Sequence, residues 1–219
     1  AAISFIFPVA VASTSLGVGV MVGINSVVAR ALGEGDFERA ARRANFGIVF
    51  AVLCGLVMGL ALWLLIDPIF TAMNAPADLM PLIRAYMTPY ACGFPLSLAI
   101  MGFNGVLRGQ GEAKRTSTVS ITYAAANWVL NPILIMGGFG FEGFGIAGSA
   151  YATVIGWGIG VLTALVLLRG TPLPLNLALL RNCSLIDPAK AIIRVGLPAA
   201  FSNAINPLGL AILTSLVAL

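Results

Sequence analysis

Thr116, Ser120, Tyr123, Asn127 and Asn131 follow one another at intervals of three or four residues inside an apolar stretch. On an α-helix that spacing puts all five on one face, while Ile121, Ala125 and Trp128 fall elsewhere on the surface. Hydroxyls and amides so arranged can do two things in a membrane. They can hydrogen-bond a neighbouring helix, at about 0.6–2 kcal/mol per contact. They can also line a substrate or ion pathway, because lipid cannot satisfy them. Both readings stand on the sequence. A second polar pair, Asn203 and Asn206, lies beside Pro207 in the last apolar stretch. It suits a cavity on a helix that bends during transport, and equally the satisfaction of a carbonyl freed by proline.

Other chemistry is excluded by what these residues keep company with. The chain has no histidine, which removes Ser-His and Cys-His nucleophile pairs and most zinc sites. Every Asp and Glu lies at the edge of an apolar stretch or between two of them, so no pair of carboxylates sits within the membrane. No catalytic residue and no metal site are expected, and the chain does not read as an enzyme. Residues 138–143, Gly-Phe-Gly-Phe-Glu-Gly, match the pattern G-x-G-x-x-G. A dinucleotide site needs that pattern between a strand and a helix of a soluble unit. Here it joins two apolar stretches, and Glu142 would repel a phosphate. A turn is the better account.

The elements that hold the polar face are visible from charge alone. Residues 1–29, 44–66, 85–107, 116–141, 143–168 and 195–219 contain no Asp, Glu, Lys or Arg. At ~1.5 Å per helical residue, roughly 20 apolar residues cross the ~30 Å hydrocarbon core, so each stretch is long enough. With 59% hydrophobic and 9% charged residues, a water-soluble domain is excluded. The expected fold class is an all-α polytopic membrane protein with six transmembrane helices.

Of the twelve basic residues, all but Arg84 fall in the connections 30–43, 108–115 and 169–194. These alternate with the other connections, so the positive-inside rule makes them cytoplasmic. The net charge of +4 therefore reports orientation and gives no sign of a nucleic-acid partner. The lipid bilayer is the expected surrounding. Three cysteines, with Cys183 on the cytoplasmic side, give no disulfide framework. The chain opens at Ala1 and stops at Leu219, both inside apolar runs, and reads as a piece of a longer protein.

Local signals place the boundaries. Asp36 is an expected N-cap for a helix from Phe37, with Glu38 and Arg42 paired four apart on its wet face. Asn74, Pro76 and Pro81 mark a turn and a helix start. Pro89 and Pro95 should kink the third span, and Pro198 and Pro207 the last. The pairs Gly19/Gly23, Gly55/Gly59 and Gly156/Gly160 are each four apart, a spacing that lets helix backbones meet closely in lipid.

Taken in order, several segments resemble the multidrug and toxic compound extrusion (MATE) family. They are GINSVVARALGEGD at 23–36, LRGQG at 107–111, NWVLNPILI at 127–135, FGIAGSAYATVI at 144–155 and IRVGLPAAF at 193–201. The resemblance implies a twelve-helix transporter of two six-helix bundles, of which this chain carries helices two to seven. Residues 1–168 would belong to the first bundle, 169–193 to a cytoplasmic linker and 194–219 to the start of the second. It further implies a secondary antiporter of the inner membrane, exporting small amphipathic or cationic substrates against sodium ions or protons, with no cofactor beyond that transported ion. In the family a cation site uses an Asp on helix one, an Asn and an Asp four apart on helix five, and a Thr on helix six. Asn127 matches the Asn and Thr153 the Thr, but position 131 is Asn. An amide can coordinate a cation through its carbonyl but cannot carry a proton. Tyr123 and Ser120 extend the same candidate wall. Two rivals remain: a lipid-linked saccharide flippase of the same superfamily, disfavoured by spans without Lys or Arg, and a non-transporting scaffold.

The topology has a direct check. In a cysteine-free background, Asp78→Cys and Glu142→Cys should react with an impermeant maleimide added to intact cells, whereas Lys114→Cys should react only after permeabilisation.

Overall fold

The computed structural model describes residues 2–138, 141–180 and 186–217. Seven α-helices follow in order: α1 (Ala2–Gly33), α2 (Phe37–Leu64), α3 (Ile66–Ala72), α4 (Met80–Gly109), α5 (Ala113–Met136), α6 (Ile146–Arg169) and α7 (Ile186–Val217). Among the described residues, α1, α2, α4, α5 and α6 are each long and apolar enough to cross a membrane, and α7 carries the sixth apolar stretch. The fold class is the all-α polytopic one the sequence implies.

The helices overrun the charge-free stretches. Only residues 34–36 and 110–112 separate the helices at the two short cytoplasmic connections, because the charged turns there continue as solvated helix ends. Asp36 accepts the Arg39 N–H at 2.9 Å, capping α2, and Glu38 meets Arg42 at 3.1 Å. On the outer side, Asp67-Pro68 does not merely end a span: it lies in the first turn of α3, where proline needs no N–H partner. Asn74 takes the left-handed turn at φ 55°, Pro81 stands in the first turn of α4, and Asp67 binds Arg84 at 2.7 Å. The turn expected at 137–145 contains a two-residue antiparallel pairing, Gly137 with Glu142 and Gly138 with Phe141.

α7 starts at Ile186 rather than near residue 194, with Asp187-Pro188 as its opening residues. The segment before it is tied to the bundle: buried Asn45 on α2 accepts the Asn176 N–H at 2.6 Å and donates to the Pro174 carbonyl at 3.4 Å. Arg181 and Cys183 lie outside the described residues.

α4 is the centre of the bundle, with 78% of its apolar window buried against 6% for α5. It packs on α1, α2 and α6, while α5 leans on α6 and α7 on α1. Each glycine pair marks one of these contacts. A Cβ on Gly55 would stand 2.7 Å from Pro95 Cα, and one on Gly59 2.6 Å from the Ala91 carbonyl, both on α4. Gly19 and Gly23 bring α1 equally close to the α7 carbonyls of Gly196 and Ile192. Gly156 and Gly160 admit Asn127 and Tyr123 of α5 onto α6.

Gly59→Val in the complete protein should therefore lower stability by about 1–3 kcal/mol through overpacking. Gly33→Ala, which meets nothing within 4 Å, should be neutral or slightly stabilising; thermal unfolding in detergent separates the two.

Candidate functional site

The polar face of α5 is half real seam and half cavity wall. Toward the cytoplasm, Thr116 is buried and its hydroxyl donates to the Glu112 carbonyl at 3.3 Å. Arg115 ties this end to α6 by donating to the Leu167 carbonyl at 2.6 Å. Ser120 is half-buried one turn on and lies outside the cavity lining. Further toward the outer side, Tyr123, Asn127, Asn131 and Thr153 line a cavity of about 940 Å³ between α5 and α6. Trp128, which helical spacing places off the polar face, stands at its rim with 79% of its surface exposed.

A chain of hydrogen bonds runs along this wall. The Asn131 side-chain amide donates to Asn127 Oδ1 at 3.4 Å. The Asn127 amide donates to Thr153 Oγ1 at 3.1 Å, and the Thr153 hydroxyl donates to the Ser149 carbonyl at 2.9 Å. Each donor is used, and one acceptor is left over: Asn131 Oδ1 is buried with no partner among the described residues. An unpaired buried carbonyl costs about 1–3 kcal/mol. The next residue, Pro132, lies inside α5 and has no N–H to give to the carbonyl one turn back. Amide oxygens beside a Thr hydroxyl are donors of the kind a hard monovalent cation takes. They offer nothing that can hold a proton at ordinary pH.

Behind the α6 side of the cavity stand α4 aromatics that spacing did not single out. Tyr86 on α4 lies close to Thr153. Trp157, a cavity residue, packs edge-on against Tyr90 at 5.2 Å and against Phe94 at 6.4 Å, and the Tyr90 hydroxyl donates to the Ala10 carbonyl of α1 at 3.3 Å. Tyr86 and Tyr90 are four apart and stack at 6.0 Å. That spacing is legible in the sequence, but an aromatic pair in an apolar helix carries no mark of which cavity it faces.

Asn203 does not join this cavity. Its side chain donates to Ala199 of its own helix at 2.8 Å, and its backbone carbonyl accepts from Ser15 of α1 at 3.2 Å. The Asn206 side chain lies outside the described residues. Asn104, whose position near a cytoplasmic end suggests a cap or an interfacial contact, is instead 5% exposed inside α4 with Oδ1 unpartnered among the described residues, because α4 continues to Gly109.

Membrane-crossing helices around an outer-half cavity with an uncharged polar wall are the architecture of a membrane transporter. The chain belongs to the MatE family, whose family model matches residues 1–133. A FAD transporter of Shewanella oneidensis is 30% identical over the whole chain and 48% of its own length. The probable multidrug resistance protein YoeA of Bacillus subtilis is 28% identical over 92% of the chain and 44% of its own length. A solved multidrug resistance MATE family transporter of the MOP superfamily, in its inward-facing conformation, superposes with a TM-score of 0.89 at 29% identity, covering 98% of this chain and 48% of that one. The chain thus spans about half the length of the relatives it matches. As a member of this family it is a multi-pass protein of the inner membrane and not an enzyme.

The two asparagines should differ in stability terms. Asn127→Leu breaks two bonds and should cost about 1–4 kcal/mol, at about 0.6–2 kcal/mol each. Asn131→Leu removes a burdened carbonyl and should be neutral or stabilising. Thermal unfolding of the complete protein checks this, and a large loss with Asn131→Leu would mean that its carbonyl is not free.

Proposed function

We propose that the complete protein to which this chain belongs is a secondary antiporter that exports small amphipathic or cationic organic molecules by alternating access. Binding of a coupling cation at the outer-half cavity biases the two access states. The observation that carries this reading is the unpartnered Asn131 Oδ1 at the end of the Asn131–Asn127–Thr153 chain. A carbonyl kept buried without a protein partner is explained if a cation supplies the partner. Asn127 positions Asn131, and Thr153 anchors Asn127. Sodium is favoured over the proton at this wall, since its side chains are amides and a hydroxyl; proton coupling would require a carboxylate from another part of the protein. The division into a first bundle, a linker from residue 169 to the start of α7, and a second bundle beginning with α7 is part of the same proposal.

A second reading of the cargo is favoured by the FAD transporter of Shewanella oneidensis, which matches the chain along its whole length. The cavity walls carry Tyr123, Trp128 and Trp157, and planar aromatic solutes stack on such side chains whatever their charge. A flavin and a planar cationic drug are therefore both compatible with these walls.

The test is efflux from proteoliposomes of the complete protein, with either ethidium or FAD inside and a sodium or a pH gradient imposed. Losing one oxygen ligand to a charge costs about 1.5–3 kcal/mol, or roughly ten- to a hundredfold in ion affinity. Asn131→Ala should raise the sodium concentration needed for half-maximal export by that factor. Unchanged sodium dependence in Asn131→Ala and Asn127→Ala would sink the site. Export of FAD without ethidium would assign the flavin cargo.

A further inference from the structure

Far from the polar wall, at the cytoplasmic end, three helices bring five cations into one cavity of about 680 Å³. Arg30 comes from the last turn of α1, Arg39 and Arg43 from successive turns of α2, and Lys190 and Arg194 from successive turns of α7. One carboxylate, Glu34, is among them, and it is taken by Arg39 at 2.7 Å. Arg43 donates to the Val27 carbonyl at 3.3 Å. Arg30, Lys190 and Arg194 have no ion pair among the described residues. Like charges one turn apart repel, so a pocket of this kind calls for an anion from outside the chain. Partial burial, and then the Arg39 charge, hold the Arg43 guanidinium below its ordinary range.

What sits directly above this pocket identifies the kind of anion. α2 and α7 both lie on α1 but barely touch each other, leaving between them, on the membrane side of the pocket, a groove of about 530 Å³. Its walls are apolar, with Leu16 and Val20 as the floor, Phe50, Leu53 and Val57 on one side and Leu197 on the other. The two cavities have no lining residue in common but adjoin on α7, where Ala191 and Val195 line the pocket and Ile192 and Gly196 the groove. Along α2 the groove is lined from Phe50 to Met58, ~12 Å of helix, most of the ~15 Å of one leaflet's hydrocarbon. A cationic pocket at the cytoplasmic end beside an apolar groove is complementary to one molecule at both ends.

We propose that the α2–α7 groove is a binding site for an anionic phospholipid of the cytoplasmic leaflet. Its phosphate is held by Arg30, Arg43, Lys190 and Arg194, and an acyl chain lies along α1. A soluble phosphate fits the mouth alone and leaves the apolar groove unexplained; an uncharged or zwitterionic lipid fits the groove and leaves the cations unexplained. Because the lipid lies between α7 and the bundle that α1 and α2 anchor, its headgroup bridges the two by charge.

The experiment uses the complete protein in phosphatidylcholine vesicles, with a reporter tryptophan in the groove, Leu53→Trp or independently Val57→Trp. Quenching of the added fluorescence is measured with acyl-brominated phosphatidylglycerol and with acyl-brominated phosphatidylcholine. The expected result is preferential quenching by phosphatidylglycerol, reduced about fivefold by Lys190→Gln and again by Arg194→Gln, as follows from about 1 kcal/mol per basic side chain. Equal quenching by the two lipids, or a preference indifferent to both substitutions, would overturn the proposal. So would a reporter quenched by neither lipid, since another segment of the protein would then cover the groove. Protection of the pocket arginines from phenylglyoxal by inorganic phosphate, without any lipid preference at the reporter, would assign the pocket to a soluble anion instead.

Discussion

Lipid tails are as apolar as leucine, so helices in a bilayer gain little by hiding apolar faces from their surroundings; they must be held by close contact. In this chain the contact is made at glycines around α4. Gly55 and Gly59 press α2 onto Pro95 and Ala91, Gly102 meets Ala51, and Gly105 and Gly109 admit Ile24 and Val28 of α1. Gly93 receives Val154 of α6. With α4 gripped on three sides, α6 has a fixed seat, and α5 is placed by α6. The polar wall at Asn127 and Asn131 thus depends on packing two helices away.

That arrangement explains why the wall can be polar at all. α5 contributes little to the core, and its buried side chains among the described residues are Thr116 and Val119. A helix that packs on one partner and leaves its remaining face to a cavity can carry amides where a central helix could not. The contrast with α4 is instructive: its buried Asn104 keeps an unpartnered Oδ1 far from the cavity, and nothing in the structure explains it. At Asn131 the same deficiency belongs to a residue that lines the cavity.

The two ends of the molecule are electrostatically opposite in kind. The outer half presents neutral oxygens, and its ion pair among the described residues, Asp67–Arg84, joins the exposed N-terminal ends of α3 and α4. The cytoplasmic end gathers cations on α1, α2 and α7 in excess over carboxylates. A coupling ion at one end and an anionic headgroup at the other would be linked through α1, which contacts both α4, carrying Tyr86 and Tyr90, and α7.

The spans, their orientation, the cap at Asp36, the turn at Asn74 and the glycine contacts were all legible in the amino-acid sequence, because each rests on local physics: hydrophobic length, charge placement, cap chemistry and helical period. The candidate wall was legible for the same reason, as polar residues three and four apart share a face wherever the helix goes. Tertiary structure alone decided how that face is divided. It sealed Thr116 into a seam, left Ser120 beside the cavity, brought Thr153 and Tyr86 across from other helices, and turned Asn203 away toward α1. It also gathered Arg30, Arg43 and Arg194 into one pocket from positions far apart in the chain. Spacing along a helix specifies direction; which neighbour lies in that direction is set by packing between distant segments, and no local pattern carries it.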